Sequence, residues 1–581
     1  MVVVGYGRPV SASEHVNAPE RHGQRVLGGG RFAWRGRLSS GAAPAAARIG
    51  APRLSAYAWG AIGAVVTFIT LTCWWLTQDR SVPIYDAGAH LETVLDYHSM
   101  LAAGNLSGPL DQVSVYPILA HLVGALATFV GGVSVASPII GENLVFVPLL
   151  ALGCYQTGRL LFGRLSGLLA VLVVLGSPLI ISLFHVFMLD APLTALVAVS
   201  IWLVLASEDF SRPGVAGLAG LAVGLGLNVK SQFAQFLAGL VVIVLLHGGW
   251  RNWRGFAIFC VVSFAVGCPW YLVHLSELGY SLEVAGSSVG APPGNLPPTF
   301  STDNLLWYFW NVLNSQLLAP LFVLVLGGTL WTVRAVLRGG DKRTARLELL
   351  AGGFLAWLAV TITPHHDIRY GLALLPYLAV LGTGWITNLP HKARLAAISL
   401  LVVGVCANTL GITFGAFGGE AKIALASPLP ETEQLPDRIV FYSTTGFLAG
   451  APNRDGDVPG LLEALHREGV RTVTVSIEQS ARPEFSFEGI SPLARIAGLS
   501  PVLTEKPEFA QSASVATLLH ERVAAGAPPP CARISNGAST LITRVRDPTG
   551  VWVVRYDRAA RKLALYCPTR HPQYYDIGAV G

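Results

Sequence analysis

Four charged residues interrupt the apolar runs of this chain. Asp86 lies in VPIYDAGAH and Asp190 in FHVFMLDAPLTALV, whereas Lys230 lies in GLNVKSQF and Arg369 in the polar cluster HHDIRY. A carboxylate can take a proton from a nucleophile, and a nearby cation can stabilise an anionic leaving group. Because arginine binds phosphate through two parallel hydrogen bonds, these residue types together predict group transfer from a phosphorylated substrate.

Each of these residues also has a purely structural interpretation. Asp86 is compatible with an ordinary solvated loop acid, and Asp190 precedes Ala-Pro as a helix N-cap residue does. Lys230 is compatible with a lysine that marks a membrane boundary by extending its ammonium group into water. Arg369 has a ready salt-bridge partner in Asp367, two residues earlier.

The elements that position these residues have the composition of membrane helices. The chain has 581 residues, of which 52% are hydrophobic and 13% are charged, about half the charged fraction of soluble domains. A helix needs about 20 apolar residues to cross a bilayer. Uncharged runs near this length occur at 57–77, 165–183, 191–206, 213–229, 233–249 and 395–417. The sequence therefore predicts a polytopic membrane protein, and its net charge of +6 reports topology, not nucleic-acid binding.

Positive charge predicts which loops face the cytoplasm. Residues 1–54 are rich in arginine and are expected to form a disordered cytoplasmic arm. The segment 115–133 is apolar but short, so it either spans the membrane or lies in the interface as an amphipathic helix. Only the interfacial alternative places GRLLFGR, with Arg159 and Arg164, and the later basic loops inside. We therefore predict about eleven spans.

With this topology the polar candidates lie on one membrane face, at helix ends. The segments predicted to face outside are 78–135, the Asp190 turn, 228–232, 276–312, 363–370 and the chain after about 417. An aspartate at the bilayer centre costs about 2.5–3.5 kcal/mol, so a helix end is the less costly position for Asp190.

The composition divides the chain into three regions. The arm at 1–54 precedes a transmembrane catalytic domain at 55–417, and residues 418–581 are predicted to form a small soluble α/β domain. Within that tail, RIVFYST and RTVTVSI have strand patterns, GLLEALHREGV has a helix pattern, and VWVVRYDR with KLALYC suggests a hairpin. Cys531 and Cys567 lie in this region and can pair if it is extracytoplasmic.

The order of the motifs resembles the GT-C superfamily of membrane glycosyltransferases, and most of all its branch of protein mannosyltransferases and aminoarabinose transferases. The similar stretches, over about 80–390, are YDAGAH, VYPILAHLVGAL, GRLLFGRLSGLLAVLVVLGSPLI, FMLDAPLTALVAVSIWLV, GLGLNVKSQF and DIRYGLALLPYLAVL. The resemblance implies an all-α polytopic fold of the GT-C type, with interfacial helices in the first outer loop. It also implies transfer of a sugar from a polyprenyl-phosphate donor to a glycan, lipid or protein acceptor on the extracytoplasmic side of a bacterial plasma (inner) membrane.

The resemblance also assigns roles to residues. Asp86 would deprotonate the acceptor hydroxyl, and Asp190 would be the second acidic residue of the site. The residues assigned to substrate binding, chiefly to the donor phosphate, are Lys230, Arg369, His365, His366 and Tyr370. This chain has Tyr-Asp-Ala where many relatives have paired acids, so we assign no metal ligand and leave a divalent Mg or Mn ion open. It also has Val-Tyr-Pro in place of a Lys-Pro-Pro type run, which removes one cationic contact to the donor.

Two other functions are compatible with parts of the sequence. A lipid-linked saccharide transporter or flippase would more often show inverted repeats and charges near the membrane midplane, and neither is evident. A polysaccharide polymerase or ligase would use a large outer loop with arginine and histidine, but the loop 276–312 has no arginine. That loop is Pro-rich and aromatic, which is typical of a mobile cover over an active site or of an interfacial aromatic belt.

Overall fold

The computed structural model describes residues 54–114, 116–276, 279, 300–339, 342–363, 366–423, 438–453, 458–467, 472–476, 487–504, 518–520, 540–547, 550–557 and 562–568. The predicted N-terminal arm, His365, Cys531, the side chain of Cys567 and most of the loop 276–312 lie outside these residues.

Helices form most of the described structure up to residue 414. The helices of the first half are α1 (Ala56–Gln78), α2 (Asp86–Ala102), α3 (Gly108–Asp111), α4 (Leu119–Gly131), α5 (Ala136–Phe162), α6 (Arg164–Leu175), α7 (Pro178–His185), α8 (Asp190–Ala206), α9 (Pro213–Leu227), α10 (Phe233–His247) and α11 (Trp253–Val273). They are followed by α12 (Thr302–Asn311), α13 (Leu318–Leu337), α14 (Arg343–Thr361), α15 (Leu375–Thr383) and α16 (His391–Phe414).

Six helical segments of the described chain are long and apolar enough to cross a membrane. They are 56–78, 136–162, 249–273, 302–337, 343–361 and 391–414. A seventh span is formed if α6 and α7 are counted as one, although they are bent by 59° at their junction. The bend has a local cause, because Ser177 caps a new helix that begins at Pro178. The predicted run 165–183 is therefore a broken helix and not a straight one.

Five further apolar helices are shorter, at 10–17 residues. They include α4, α8, α9 and α10, which cover four segments of the predicted topology. A 13-residue helix such as α4 is about 20 Å long, less than the roughly 30 Å hydrocarbon layer. The structure thus gives a multi-pass helical protein with six or seven long spans, and the count of eleven stays a prediction.

Small residues allow two of these helices to pack closely before the chain reaches Lys230. In α9, a Cβ on Gly220 would overlap the carbonyl oxygen of Phe259 in α11, and one on Gly224 would overlap Val266. Close backbone approach at small residues is typical of helix packing in membranes. It fixes the end of α9 from which Lys230 extends.

The basic loops meet at one end of the helical bundle. The guanidinium of Arg346 donates a hydrogen bond of 3.0 Å to the carbonyl of Leu161, and the ammonium of Lys342 donates to the carbonyl of Leu160. The 19 residues of α14 then carry the chain about 28 Å away from this end before the HHDIRY cluster begins. The two basic loops and the acidic cluster thus lie at opposite ends of α14.

Strands appear only after α16 in the described chain. Strands β1 (Ala421–Ile423) and β2 (Ile439–Tyr442) pair antiparallel. In a second sheet, β3 (Thr472–Ser476) pairs parallel with β4 (Ser500–Thr504) and antiparallel with β5 (Leu518–His520). A third sheet has the order β6 (Thr540–Asp547), β7 (Gly550–Asp557) and β8 (Lys562–Pro568), all antiparallel. Two helices accompany them, α17 (Val458–Arg467) and α18 (Phe487–Ile496).

The helix α18 packs directly on α2, the helix that begins with Asp86. Arg495 of α18 donates to Asp96 of α2 at 2.7 Å and also to Glu92. The two backbones approach so closely at Gly88 that a Cβ there would overlap the carbonyl oxygen of Glu488. The C-terminal part of the chain therefore contributes to the placement of α2.

We predict that Gly88→Ala separates α18 from α2. Overpacking against backbone costs about 1–3 kcal/mol, so thermal unfolding in detergent should occur at lower temperature and the C-terminal segment should become more sensitive to protease. The matched control is Gly63→Ala in α1, where a Cβ meets nothing within 4 Å and where the better helix propensity of alanine should be neutral or stabilising. Equal behaviour of the two variants would contradict this packing.

Candidate functional site

Arg369 lies at the centre of a cluster of carboxylates, in the loop between α14 and α15. Its Nε and Nη2 donate to the two carboxylate oxygens of Asp367 at 3.0 and 2.9 Å. Its Nη1 donates to Oδ2 of Asp86 at 2.7 Å and lies 4.0 Å from Oδ2 of Asp190. The interpretation of Arg369 as a partner of Asp367 is thus correct, but the same guanidinium also contacts Asp86.

Asp86 is the first residue of α2, and the backbone turns sharply just before it. Tyr85 has a φ of 50°, which residues other than glycine rarely adopt. The side chain of Asp86 is 43% exposed, whereas that of Arg369 is only 10% exposed. Asp86 is therefore accessible to a molecule from solution, while the guanidinium it contacts is largely buried.

Asp190 and Lys230 form a buried ion pair beside Arg369. The Lys230 Nζ lies 2.8 Å from Asp190 Oδ1, and the two side chains are 10% and 2% exposed. The N-cap interpretation of Asp190 is wrong, because Leu189 occupies the N-cap position and no side chain caps α8. Lys230 is buried and does not extend its ammonium group into water. The ammonium compensates the buried carboxylate of Asp190, which would be costly to bury without a partner.

The charges in this cluster stabilise each other. Burial alone would lower the pKa of Arg369, but the neighbouring carboxylates, above all Asp367 and Asp190, raise it well above the ordinary arginine value. The guanidinium therefore stays charged. Three carboxylates face two cations here, so these five side chains carry a net charge of one negative unit.

Aromatic rings enclose the two cations. Lys230 Nζ lies 4.9 Å from the centroid of the Tyr370 ring, and the Arg369 guanidinium lies 5.5 Å from that of Phe447. Burial raises the pKa of Tyr370, with Asp367 adding to the effect, so Tyr370 stays neutral. Phe447 belongs to the segment 443–453, which is hydrogen-bonded to the helices. The indole of Trp75 in α1 donates to the carbonyl of Gly450 at 2.9 Å, and Ser182 of α7 donates to that of Phe447.

The ring of His366 packs against two aromatic residues. Its ring stacks on Tyr308 at a centroid distance of 5.3 Å and meets Trp307 edge-on at 5.1 Å. It is thus part of an aromatic cluster beside the loop that carries Asp367 and Arg369, and its assignment to substrate binding stays a prediction.

A buried histidine pair extends the polar region beyond Asp86. His90 lies one turn after Asp86 in α2, and its Nδ1 lies 3.2 Å from Nε2 of His121 in α4. Tyr116 meets the His90 ring edge-on at 4.9 Å. Burial lowers the pKa of His90 well below its ordinary value, and the positive charges of Lys230 and Arg369 act in the same direction. His90 is therefore neutral and does not replace the missing cation of the first loop.

Two other residues near the site were missed by the sequence reasoning. Glu142 is 1% exposed in α5, beside the backbone of Met188 and within Coulombic range of Asp190. A lone acid in an apolar run was a visible signal for it. Phe447 had no signal, since its contact with Arg369 spans many residues of chain. Among the described residues no group of three or more His, Cys, Asp or Glu has the arrangement of a metal site.

An apolar cavity of about 570 Å³ lies next to the polar cluster. It is formed between α12, α13, α14 and α15, and its lining includes Tyr308, Phe322, Ala351, Trp357 and Tyr377. Tyr308 also stacks on His366 and lies against Gly371, so the cavity borders the loop that carries Arg369. A charged group at Arg369 joined to a long apolar chain would fit this combination.

Part of the chain matches a known protein family. Residues 115–272 match the family described as dolichyl-phosphate-mannose-protein mannosyltransferase, a range that includes Asp190 and Lys230. This match confirms the resemblance seen in the motifs for that part of the chain. No curated protein matches the chain.

Fourteen chains of solved structures show similarity to this chain. ArnT from Cupriavidus metallidurans bound to undecaprenyl phosphate is 16% identical over 61% of this chain and 65% of its own, with a TM-score of 0.46. The oligosaccharyltransferase of Archaeoglobus fulgidus with Zn and sulfate is 11% identical over 76% of this chain and 62% of its own, with a TM-score of 0.41. This chain thus spans slightly less than two thirds of either protein.

We predict that Asp190→Asn destabilises the protein by about 3 kcal/mol, because it leaves the Lys230 ammonium buried without its partner. The double variant Asp190→Asn/Lys230→Gln removes both charges and should recover much of the loss in thermal unfolding. The matched control is Glu208→Gln, which breaks the pair with Arg212, where both side chains are more than half exposed, and should cost less than about 1 kcal/mol. If the single and double variants unfold alike, the ion pair does not stabilise the fold.

Proposed function

We propose that this protein is a membrane glycosyltransferase that moves a sugar from a polyprenyl-phosphate donor to an acceptor hydroxyl. The observation that carries the proposal is the single guanidinium of Arg369 that contacts Asp86 and lies 4.0 Å from Asp190. Catalysis of this transfer needs a base for the acceptor and a cation for the departing phosphate within one small site.

In the proposed reaction Asp86 takes the proton of the acceptor hydroxyl. The acceptor oxygen forms the new bond to the anomeric carbon of the sugar, and the bond from that carbon to the phosphate oxygen breaks. The electron pair of this bond leaves with the polyprenyl phosphate. Arg369 and Lys230 stabilise the developing charge on the phosphate, and the buried Asp190 keeps Lys230 in place.

The apolar cavity supports a donor with a lipid tail. It lies between α13 and α14, both of which belong to segments able to span a membrane. Apolar side chains line it nearly throughout, as an isoprenoid chain would require. The tail would enter beside Tyr308 while its phosphate stays at Arg369.

The distribution of charge supports an extracytoplasmic position for the site. The basic loops around Leu161 and Lys342 lie at the opposite end of α14 from Arg369, and basic loops prefer the cytoplasm. The proposed location is therefore the plasma membrane of a bacterium, with the site and the chain after residue 417 on the outer side. In this proposal residues 418–581 form the α/β domain that holds α2 through α18.

We predict that Asp86→Asn lowers sugar transfer about 10²- to 10⁴-fold, because an amide cannot act as the general base. The measurement is mass spectrometry of surface glycans from cells in which the variant replaces the wild-type protein. The amount of the variant and its thermal unfolding are checked in parallel. Asp111→Asn, which changes an exposed acid of the same loop region, should restore the glycans. Normal glycans with the Asp86 variant would contradict the assigned base.

We also predict that Ala351→Trp selectively weakens binding of long-chain donors. The added indole would fill part of the cavity and displace several methylene groups of the lipid. Losing the burial of two methylene groups already lowers affinity about tenfold. Binding of undecaprenyl phosphate should fall by at least that factor, while a short-chain prenyl phosphate should bind as to the wild type. The control is Leu330→Trp in α13, because Leu330 is 61% exposed and does not line the cavity. Equal losses for both chain lengths would argue against this cavity as the lipid site.

A further inference from the structure

The bond between Arg369 and Asp86 raises a difficulty for the proposed reaction. The base and the phosphate-binding cation are joined by a hydrogen bond of 2.7 Å, yet each has to contact a different substrate. A carboxylate and a phosphate both bind arginine through charge-assisted hydrogen bonds. They cannot occupy the same N–H group.

Arg369 offers the phosphate only one end of its guanidinium. Asp367 occupies the other end through Nε and Nη2, and it also accepts the backbone N–H of Arg369 at 2.9 Å. The N–H groups that remain are one on Nη2 and two on Nη1, and Nη1 donates to Asp86 and lies 4.0 Å from Asp190 Oδ2. A phosphate that binds the guanidinium through both Nη1 and Nη2 therefore meets Asp86 at Nη1.

Of the two partners, Asp86 is the one that can move. The guanidinium is held by Asp367 on one edge and lies near the rings of Tyr370 and Phe447. Asp86 is held by a single hydrogen bond of those described, and its side chain is 43% exposed. A rotation about its side-chain bonds is enough to leave Nη1.

The local charge favours that exchange. Asp86, Asp190 and Asp367 already outnumber Lys230 and Arg369 by one negative charge. If a phosphate bound while Asp86 stayed in place, the repulsion among the anions would increase. If Asp86 leaves, the phosphate loses its nearest anionic neighbour and the repulsion decreases.

We infer that Asp86 and the donor phosphate compete for Nη1 of Arg369, so that donor binding releases Asp86 to act as the base. This inference rests on the proposed function and deepens it, because it makes the binding ordered. The lipid-phosphate donor binds first, and the acceptor is activated only at a site that already holds it.

The test is the affinity of the purified protein for undecaprenyl phosphate. Removing a competing carboxylate should strengthen binding, so Asp86→Asn and Asp86→Ala should bind about three- to tenfold more tightly than the wild type. Asp111→Asn removes an acid of the same charge without touching the site and should bind as the wild type does. Asp367→Asn should bind more weakly, because the guanidinium loses the partner that orients it.

The outcomes separate the inference from the proposed function. Tighter binding by both Asp86 variants, with the Asp111 control unchanged, supports the competition. Unchanged or weaker binding by these variants overturns the competition and leaves the proposed function standing. If neither the wild type nor any variant binds undecaprenyl phosphate, the proposed function fails, and the inference fails with it.

Discussion

The guanidinium of Arg369 is the interaction on which the rest of this site depends. It is largely buried, and a buried charge persists only where partners compensate it. Asp367 fills one edge, while Asp86 and Asp190 lie beside the other. The charge is thereby kept in a poorly hydrated position, where it acts on a bound anion more strongly than it would in water.

This arrangement places a demand on the helices. The four charged side chains come from the start of α2, the start of α8, the turn after α9 and the loop after α14. These four elements therefore have to bring their residues to the same depth in the bundle. The close packing of α9 on α11 and of α2 on α18 meets that demand. The segment 443–453 adds Phe447 from beyond the last long helix, so the chain after the bundle takes part in the site.

Much of the architecture could be predicted because apolar length and loop charge are local properties of the sequence. They gave the helical segments, and they placed Asp86, Asp190, Lys230 and Arg369 at one end of the bundle, where the structure brings them together. Local rules failed at Asp190, whose position before Ala-Pro suggested a cap, because pairing with Lys230 determines where its carboxylate lies. They also failed for the break at Ser177, since an uncharged run does not reveal that its helix ends and restarts.

Contacts between distant residues could not be predicted from composition or spacing. The packing of Phe447 on Arg369 and of Gly88 on Glu488 depends on how the chain folds back over the helices. The same holds for the stacking of His366 on Tyr308 and its edge-on contact with Trp307, which its place beside Asp367 in the sequence did not reveal.

The most direct measurement is an experimental structure of the protein with undecaprenyl phosphate bound. The account predicts a phosphate oxygen about 3 Å from Nη1 of Arg369, the lipid tail in the cavity lined by Ala351 and Trp357, and Asp86 turned away from the guanidinium. A phosphate bound elsewhere, or an Asp86 that lies far from both Arg369 and Asp190, would contradict it.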